Sequence, residues 1–314
     1  LDNFGVKHEY FFGSHNDKTL ISEISRFINS AVATVRLKNQ TMINIGGRCM
    51  GMVNSEVDSV QVRDLFGIDV YHADQGIIIE KAKNFNNEII DKYIKCLQNK
   101  FGNIQVSNEK LKQAVSLYFV IRDEMLKQKA YFGSLKCQPE LVENYCSGCL
   151  AVSLLNDDFL TISCESDINA SITMRILTIL SSQPSLFADV EFIDFDNNIV
   201  HLFNCGSAPS SFCSNLKKIN LVKPPDYMGV AGGVNTQFCC KSGKATFARL
   251  DRIAGKYIML VFKGKCIYKN INDYSNTVTQ WPHAFIQLNF DAKNLYPQLR
   301  SEHIHMVYGD YIKE

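Results

Sequence analysis

The sequence predicts an α/β protein in which a parallel-sheet, Rossmann-like domain over residues 1–183 is followed by a β-rich, barrel-like domain over residues 184–314. Before Pro184, short apolar runs alternate with segments of helical periodicity, which is typical of right-handed crossovers over a mostly parallel sheet. After Pro184, short β-rich runs follow one another, separated by Gly, Lys and Asp. With 314 residues, 46% of them hydrophobic, the chain is long enough to bury two cores.

The predicted helices of the first domain share an apolar repeat of about 3.6 residues, and its predicted strands are short buried runs. In the first helix, this repeat places Ile21, Ile24, Phe27, Ile28 and Val32 on one stripe. The helices are predicted over residues 16–36, 60–66, 86–99, 107–127, 149–155 and 168–181, and the strands over residues 42–47, 132–137 and 160–164.

The second domain begins with a predicted β-hairpin over residues 186–204, because two apolar runs flank the turn signal Asp196-Asn197-Asn198. From residue 236 onward, further β-rich runs follow: TQFCC, ATFARLDR, YIMLVFKGKCI and AFIQLNF. Together these runs predict an antiparallel sheet or barrel.

Composition and charge exclude several classes of function. The 33 basic and 32 acidic residues give a formal net charge of +1, which offers no electrostatic basis for binding nucleic acid. No apolar run reaches the roughly 20 residues that a membrane-spanning helix needs, and the N-terminus lacks the pattern of a signal peptide. We therefore expect a cytoplasmic protein with no nucleic-acid or membrane partner.

The eleven cysteines favour reduced thiols, because their number is odd and they are spread thinly along the chain. Cys146 and Cys149 form one CxxC pair with no second pair at zinc-ribbon spacing. Small buried thiols are therefore favoured over a structural zinc or a redox pair.

Acidic residues follow two of the predicted strands. Asp167 precedes a helix and is predicted to cap its N-terminus, whereas Glu165 has no such local role. Asp189 follows the strand-like run SLFAD. Since ligands bind beyond the carboxyl ends of the strands in open α/β sheets, Glu165 and Asp189 are candidates for one cleft, although each carboxylate alone could equally face water or cap a helix.

The C-terminal sequence SEHIHMVYGD offers imidazoles to the same cleft. Alternation along a strand places His303 and His305 on one face. A single histidine is more often structural, but two carboxylates with one imidazole suit Mn²⁺ or Mg²⁺ and leave positions for substrate oxygens. This pattern does not by itself decide which histidine is the ligand.

Nine stretches of the chain matter through their joint order, since each is weak alone. They are GGRCMGM (46–52), FGIDVYHADQ (66–75), KCQPE (136–140), SGCLAVSLLNDD (147–158), CESDINASITMRIL (164–177), FADV (187–190), NCGSAP (204–209), KATFARL (244–250) and EHIHMVYGDY (302–311). Stretches of this kind occur in this order in the fucose/arabinose isomerase family, and the chain resembles the middle and C-terminal domains of L-fucose isomerase-like proteins.

The resemblance implies a Mn²⁺-dependent aldose–ketose isomerase of monosaccharides that acts through an enediol. It implies Glu165, Asp189 and His303 as metal ligands, with Glu165 and Asp189 also serving as acid and base. It further implies a homo-oligomer, hexameric or trimer-based, whose subunits carry an additional N-terminal domain. Without that domain, slow turnover is expected. Glu302 departs from the pattern, since relatives commonly have Asn at this position.

Five residues are weaker candidates for contacts with a sugar. Trp281 offers an aromatic face to sugar C–H groups, with core packing as the alternative, and Gln138 offers an amide that is equally suited to a solvated loop. Arg48 and Ser207 are candidates because they are expected near the cleft, and Glu302 is a candidate because it precedes His303. A non-catalytic carbohydrate-binding protein, or one half of a split isomerase, remains the alternative function.

Overall fold

The computed structural model describes residues 2–270 and 277–314. The helices are α1 (Lys18–Leu37), α2 (Ser59–Phe66), α3 (Gln75–Lys83), α4 (Asn87–Lys100), α5 (Asn108–Lys127), α6 (Glu140–Asn144), α7 (Cys149–Asp157), α8 (Ile168–Ser181) and α9 (Ala292–Leu295). The strands are β1 (Thr41–Ile45), β2 (Asp69–Ala73), β3 (Ile104–Gln105), β4 (Ala130–Leu135), β5 (Thr161–Ser163), β6 (Leu186–Asp194), β7 (Ile199–Phe203), β8 (Asn220–Val222), β9 (Asn235–Gln237), β10 (Gly243–Ile253), β11 (Lys256–Ile267), β12 (His283–Leu288) and β13 (His303–Tyr308).

The first sheet has the strand order β2-β1-β4-β5, and all of its pairs are parallel. The predicted α/β fold class is therefore confirmed. Strand β2 and helix α3 were missed by the sequence analysis. Strand β2 lies at the edge of the sheet and most of its side chains are exposed, so it lacks the continuous apolar run of its buried neighbours.

Close backbone contact at the centre of this sheet requires glycine at residue 133. A Cβ atom at Gly133 would lie 2.1 Å from the carbonyl oxygen of Ile43 on the neighbouring strand. The carbonyl of Gly133 also accepts a hydrogen bond from the Ser171 hydroxyl of α8, so the local backbone has little freedom to move away.

We expect Gly133→Ala to lower the free energy of unfolding by about 3 kcal/mol, since the added methyl group forces β1 and β4 apart. Urea denaturation followed by circular dichroism measures this loss. Gly51→Ala is the matched control, because a Cβ atom at Gly51 meets no atom within 4 Å. Equal stability of the two variants would contradict the assignment of Gly133 as a packing constraint.

The second sheet closes into an antiparallel barrel of strand order β10-β11-β12-β7-β6-β13, which confirms the predicted barrel-like domain. Closure removes the exposed edges that an open antiparallel sheet would have. A small third sheet joins β3 to β8 and β9.

Helix α8 connects the parallel sheet to the barrel. The amide of Leu250 on β10 donates to the Thr173 hydroxyl of α8 at 3.0 Å. Leu177 of α8 packs against Ala248 and Val307 of the barrel. The N-terminus of α8, which follows Glu165, is thereby fixed against the barrel strands.

The apolar stripe of α1 is largely exposed. Ile21, Ile28 and Val32 are each more than 40% accessible to solvent, and Leu37 is the one residue of this helix that is buried. The periodicity predicts this helix correctly, whereas the stripe does not face the core of the chain.

Within the part of the chain that the structure describes, helices that combine the length and apolar character needed to cross a bilayer are absent. All eleven cysteines are free thiols, in agreement with the predicted reduced state, and nine of them are buried.

Candidate active site

Glu165 lies two residues beyond the end of β5, in a strained turn. Glu165 and Ser166 have φ angles of +59° and +53°, a left-handed conformation that is unfavourable for residues with a Cβ atom. The turn is held by the Ser166 amide, which donates to Leu135 O at 3.1 Å, and by the Ser166 hydroxyl, which donates to Asn44 Oδ1 at 2.9 Å. Such strain is often found where a functional side chain must be placed exactly, and here it positions the Glu165 carboxylate.

Barrel pairing brings Asp189 and His303 to the same place. These residues lie opposite each other on the neighbouring strands β6 and β13. His303 Nε2 lies 3.3 Å from Asp189 Oδ1 and 3.4 Å from Glu165 Oε2. The structure therefore brings the three predicted metal ligands together, although each comes from a different element.

Glu302 lies at the rim of this cluster. Its Oε1 atom is 4.0 Å from His303 Nε2, and its side chain is 55% exposed. The extra carboxylate adds negative charge near the site without being buried in it.

Burial and mutual repulsion make this cluster electrostatically unusual. Burial raises the pKa of Asp189 to about 7, and the nearby Glu165 carboxylate contributes in the same direction. Burial alone would lower the pKa of His303, but hydrogen bonds to Asp167 and Glu165 raise it well above its ordinary value. The site therefore attracts positive charge strongly.

Two carboxylates and one imidazole fit a divalent cation of the Mn²⁺ type. Glu165 Oε2 and Asp189 Oδ1 both lie near the nitrogen that would bind the ion. A cation at this position would replace the proton on His303 Nε2, because an imidazole binds metal through its neutral lone pair.

Asp167 has a second role that the sequence analysis missed. Its predicted capping bond is present, since Oδ1 accepts from the Ala170 amide at 2.9 Å. Its other oxygen, Oδ2, lies 2.7 Å from His303 Nδ1. Arg249 and His303 hold the pKa of this buried carboxyl well below its ordinary value, so the carboxyl is ionised. It therefore accepts a hydrogen bond from His303 Nδ1–H. This contact turns Nε2 towards Glu165 and Asp189.

Arg249 is buried beneath these residues. Its Nη1 atom donates to Asp167 Oδ2 at 2.6 Å, and its Nε atom donates to Asp251 Oδ1 at 3.1 Å. Residue 249 is only 1% exposed, so both ion pairs are shielded from water. Arg249, a charged residue within the apolar run ATFARL, was the available signal for this network, but its partner Asp167 lies 82 residues away along the chain.

His305 faces Arg249 instead of the carboxylate cluster. Its Nε2 atom lies 3.4 Å from Arg249 Nη1. Burial, together with the positive charge of Arg249, lowers the pKa of His305 well below its ordinary value. The rings of His303 and His305 both contact Phe187, so they share a face as alternation predicts, but their nitrogens have different partners.

Gln138 and Ser207 are engaged within the protein. The Gln138 amide donates to Met228 O at 3.0 Å. The Ser207 hydroxyl donates to Asn204 Oδ1 at 3.1 Å and lies 3.0 Å from the Cys164 thiol. The hydroxyl of Ser207 is thereby tied to the residue that precedes Glu165.

Trp281 and Arg48 have different surroundings. The Trp281 ring is buried and stacks on Phe203 with ring centroids 4.7 Å apart. Phe203 on β7 pairs with Asp189 on β6. Trp281 is therefore one residue removed from Asp189, with the Phe203 ring as its direct contact. Arg48 is exposed and forms an ion pair with Glu56 at 3.2 Å.

Comparison with known proteins finds sequence similarity to proteins named as isomerases. Residues 202–314 match the family model described as L-fucose isomerase, C-terminal domain. The chain is also similar to proteins named sulfoquinovose isomerase. That of Clostridium sp. (strain MSTE9) is 22% identical over 280 residues, which cover 88% of this chain and 62% of the relative.

Two further relatives with the same name show similar agreement. That of Alkalicoccus urumqiensis is 20% identical over 83% of this chain and 58% of its own length, and that of Priestia aryabhattai is 23% identical over 85% and 60%. The chain thus spans about three fifths of the length of the curated relatives it matches. The resemblance to L-fucose isomerase-like proteins is confirmed.

Proposed function

We propose that the protein is a metal-dependent aldose–ketose isomerase that acts on a monosaccharide through an enediol. The observation that carries this proposal is the convergence of Glu165 and Asp189 on His303 Nε2, at 3.4 and 3.3 Å. The similarity to sulfoquinovose isomerases supports the reaction class.

The reaction moves a proton between two neighbouring carbon atoms of the sugar. A carboxylate must remove the proton from the carbon beside the carbonyl, and an acid must return one to the adjacent carbon. Glu165 and Asp189 come from different elements and reach the same space, so they are suited to these two roles. A sugar bound between them is held close to both carboxylates, which makes the transfer effectively intramolecular.

Glu165, Asp189 and His303 would hold the metal, for which we propose Mn²⁺. When bound, the ion supplies polarisation of the sugar carbonyl and compensation for the negative charge that develops on its oxygen atoms. Asp167 contributes by accepting a hydrogen bond from His303 Nδ1–H, which keeps Nε2 directed at Glu165 and Asp189.

Purification under mild conditions tests the proposal against its rival. An isomerase is expected to retain about one equivalent of Mn²⁺ per chain and to interconvert an aldose with its ketose. L-fucose, an L-arabinose-type sugar and sulfoquinovose form the substrate panel, and product formation is followed by NMR. A chain that binds these sugars without metal and without turnover would favour a carbohydrate-binding protein.

The two histidines of β13 provide a matched pair of variants. We expect His303→Ala to weaken Mn²⁺ binding by more than about 100-fold, because it removes a direct ligand, whereas His305→Ala leaves the affinity within about threefold. Isothermal titration with Mn²⁺ measures both. Equal losses in the two variants would show that the metal is not bound by His303 in particular.

We also propose that the protein forms a homo-oligomer, as the resemblance implies. Light scattering coupled to size-exclusion chromatography measures the mass directly. A hexameric or trimeric mass would support this proposal, and a monomer at micromolar concentration would contradict it.

A further inference from the structure

A second cluster of carboxylate and imidazole side chains lies in the barrel. Glu191 on β6, His201 on β7 and His283 on β12 belong to three strands that are neighbours in the barrel. One ligand atom from each lies within 4.8 Å of the other two. Both histidines are buried and Glu191 is half-buried. None of these residues takes part in the candidate active site described above.

Hydrogen bonding fixes the orientation of His283. Its Nε2 atom lies 2.9 Å from Val278 O, and a carbonyl can only accept, so Nε2 carries the proton and Nδ1 carries a lone pair. That lone pair faces His201 Nε2 at 3.0 Å. A histidine whose second nitrogen donates to a backbone carbonyl is the usual arrangement at metal sites.

Both imidazoles are held in the neutral form that metals require. Burial, with smaller contributions from His283 and Lys269, lowers the pKa of His201 to about 3. Burial likewise lowers the pKa of His283 to about 4, against the opposing effect of its bond to Val278. A neutral imidazole binds metal by moving its one ring proton to the other nitrogen, without losing a net charge. For His201 the proton would move from Nε2 to Nδ1, where Glu191 Oε2 lies 2.9 Å away and can accept its hydrogen bond.

A β-bulge directs Glu191 to the two histidines. The pairing of β6 with β7 shifts between Val190 and Phe192, so Glu191 is the extra residue, and bulges commonly re-aim a side chain. Its Oε2 atom lies 2.9 Å from His201 Nδ1. The Thr277 hydroxyl lies 2.9 and 3.1 Å from the two carboxylate oxygens.

We propose that Glu191, His201 and His283 form a second metal site, of the zinc class. Two nitrogens bound to a tetrahedral ion at about 2.1 Å each are about 3.4 Å apart. His201 Nε2 and His283 Nδ1 are 3.0 Å apart, so the two rings would need to separate by only about 0.4 Å to hold the ion. A small shift of the Glu191 carboxylate, with Oε2 still beside His201 Nδ1, would bring its other oxygen to the ion as the third ligand. Two imidazoles with one carboxylate suit Zn²⁺, whereas the oxygen-richer set around His303 suits Mn²⁺. The ion would join three barrel strands, one of which also carries Asp189.

Zinc binding by the full chain tests this site in the Glu165→Gln background, which weakens the first site. We expect this parent to bind Zn²⁺, and Glu191→Gln or His283→Gln to reduce the affinity at least 30-fold, as measured by competition with a chromogenic chelator. His72→Gln is the matched control, because His72 is exposed on β2, at the edge of the parallel sheet and outside the barrel. It should leave the affinity unchanged.

Cobalt absorption provides an independent measurement on the parent chain. Co²⁺ bound by two imidazoles and a carboxylate should give d–d bands that Glu191→Gln alters. Unchanged Zn²⁺ affinity in Glu191→Gln, or a Co²⁺ spectrum identical to that of the hydrated ion, would overturn the proposal. If His283→Gln does not fold, the half-buried Glu191 still provides the decisive variant. Neither the Zn²⁺ competition nor the Co²⁺ spectrum depends on isomerase activity. The second metal site can therefore be refuted without affecting the proposed function.

Discussion

Glu165→Gln is expected to lower isomerase kcat/KM by about 10³-fold and to weaken Mn²⁺ binding more than about 100-fold. The substitution keeps the size and shape of the side chain but removes an anionic ligand and a group that carries protons. The left-handed turn at residues 165 and 166 places the Glu165 carboxylate. Steady-state kinetics and isothermal titration with Mn²⁺ measure the two effects separately.

Glu302→Gln is the matched control for this variant. Glu302 also lies near His303 Nε2, at 4.0 Å, but its side chain is mostly exposed and solvent screens its charge. We expect its Mn²⁺ affinity to change by less than about threefold. Normal Mn²⁺ affinity in Glu165→Gln would refute the metal assignment, and a larger loss in Glu302→Gln would identify Glu302 as the ligand.

The sequence predicted the parts of the fold that depend on local periodicity. Helix α8 was predicted over its observed span because its apolar repeat and its N-cap, Asp167, agree. A succession of β-rich runs predicted an antiparallel sheet or barrel, and the structure shows that it closes. Strand β2 was missed because an edge strand with exposed side chains carries little apolar signal.

The candidate site was predictable only in part. Glu165 follows a strand of the parallel sheet as expected, whereas Asp189 lies inside the barrel strand β6 and not at a strand end, and the residues that support the site have no local signature. Glu165 and Asp189 each follow an apolar run, and the motif spacing of the resemblance selected His303. The contact between Asp167 and Arg249 spans 82 residues and depends on how α8 packs against the barrel. The sequence pattern explained Asp167 fully as a helix cap, so it gave no reason to predict a second partner for this carboxylate.

The structure gives a physical reason for the difference between His303 and His305 that alternation cannot give. Both lie on the same face of β13, yet His303 contacts carboxylates on two sides while His305 meets the Arg249 guanidinium. The two histidines therefore differ in their charged neighbours, which come from other elements of the fold and which alternation along β13 cannot predict.

Asp167→Asn is expected to lower the free energy of unfolding by about 3–5 kcal/mol, because it leaves the buried Arg249 with one ion pair fewer. Asn remains a good helix cap, so the loss comes from charge and not from the capping bond. The same change removes the anionic acceptor of His303 Nδ1–H, and we expect Mn²⁺ affinity to fall about 10- to 100-fold. Urea denaturation and Mn²⁺ titration of the folded variant measure the two effects.

Asp251→Asn separates positioning from stability. Asp251 also pairs with Arg249 in the buried network, at 3.1 Å, but its ion pairs do not include His303. Its loss should therefore destabilise the fold while leaving Mn²⁺ affinity within about threefold, since the orientation of His303 Nε2 is unchanged. If both variants weakened Mn²⁺ binding in proportion to their loss of stability, Asp167 would be a structural residue only. A fall in affinity confined to Asp167→Asn would mean that this carboxylate directs the imidazole, because the direct contact to Nδ1 is what distinguishes the two acids.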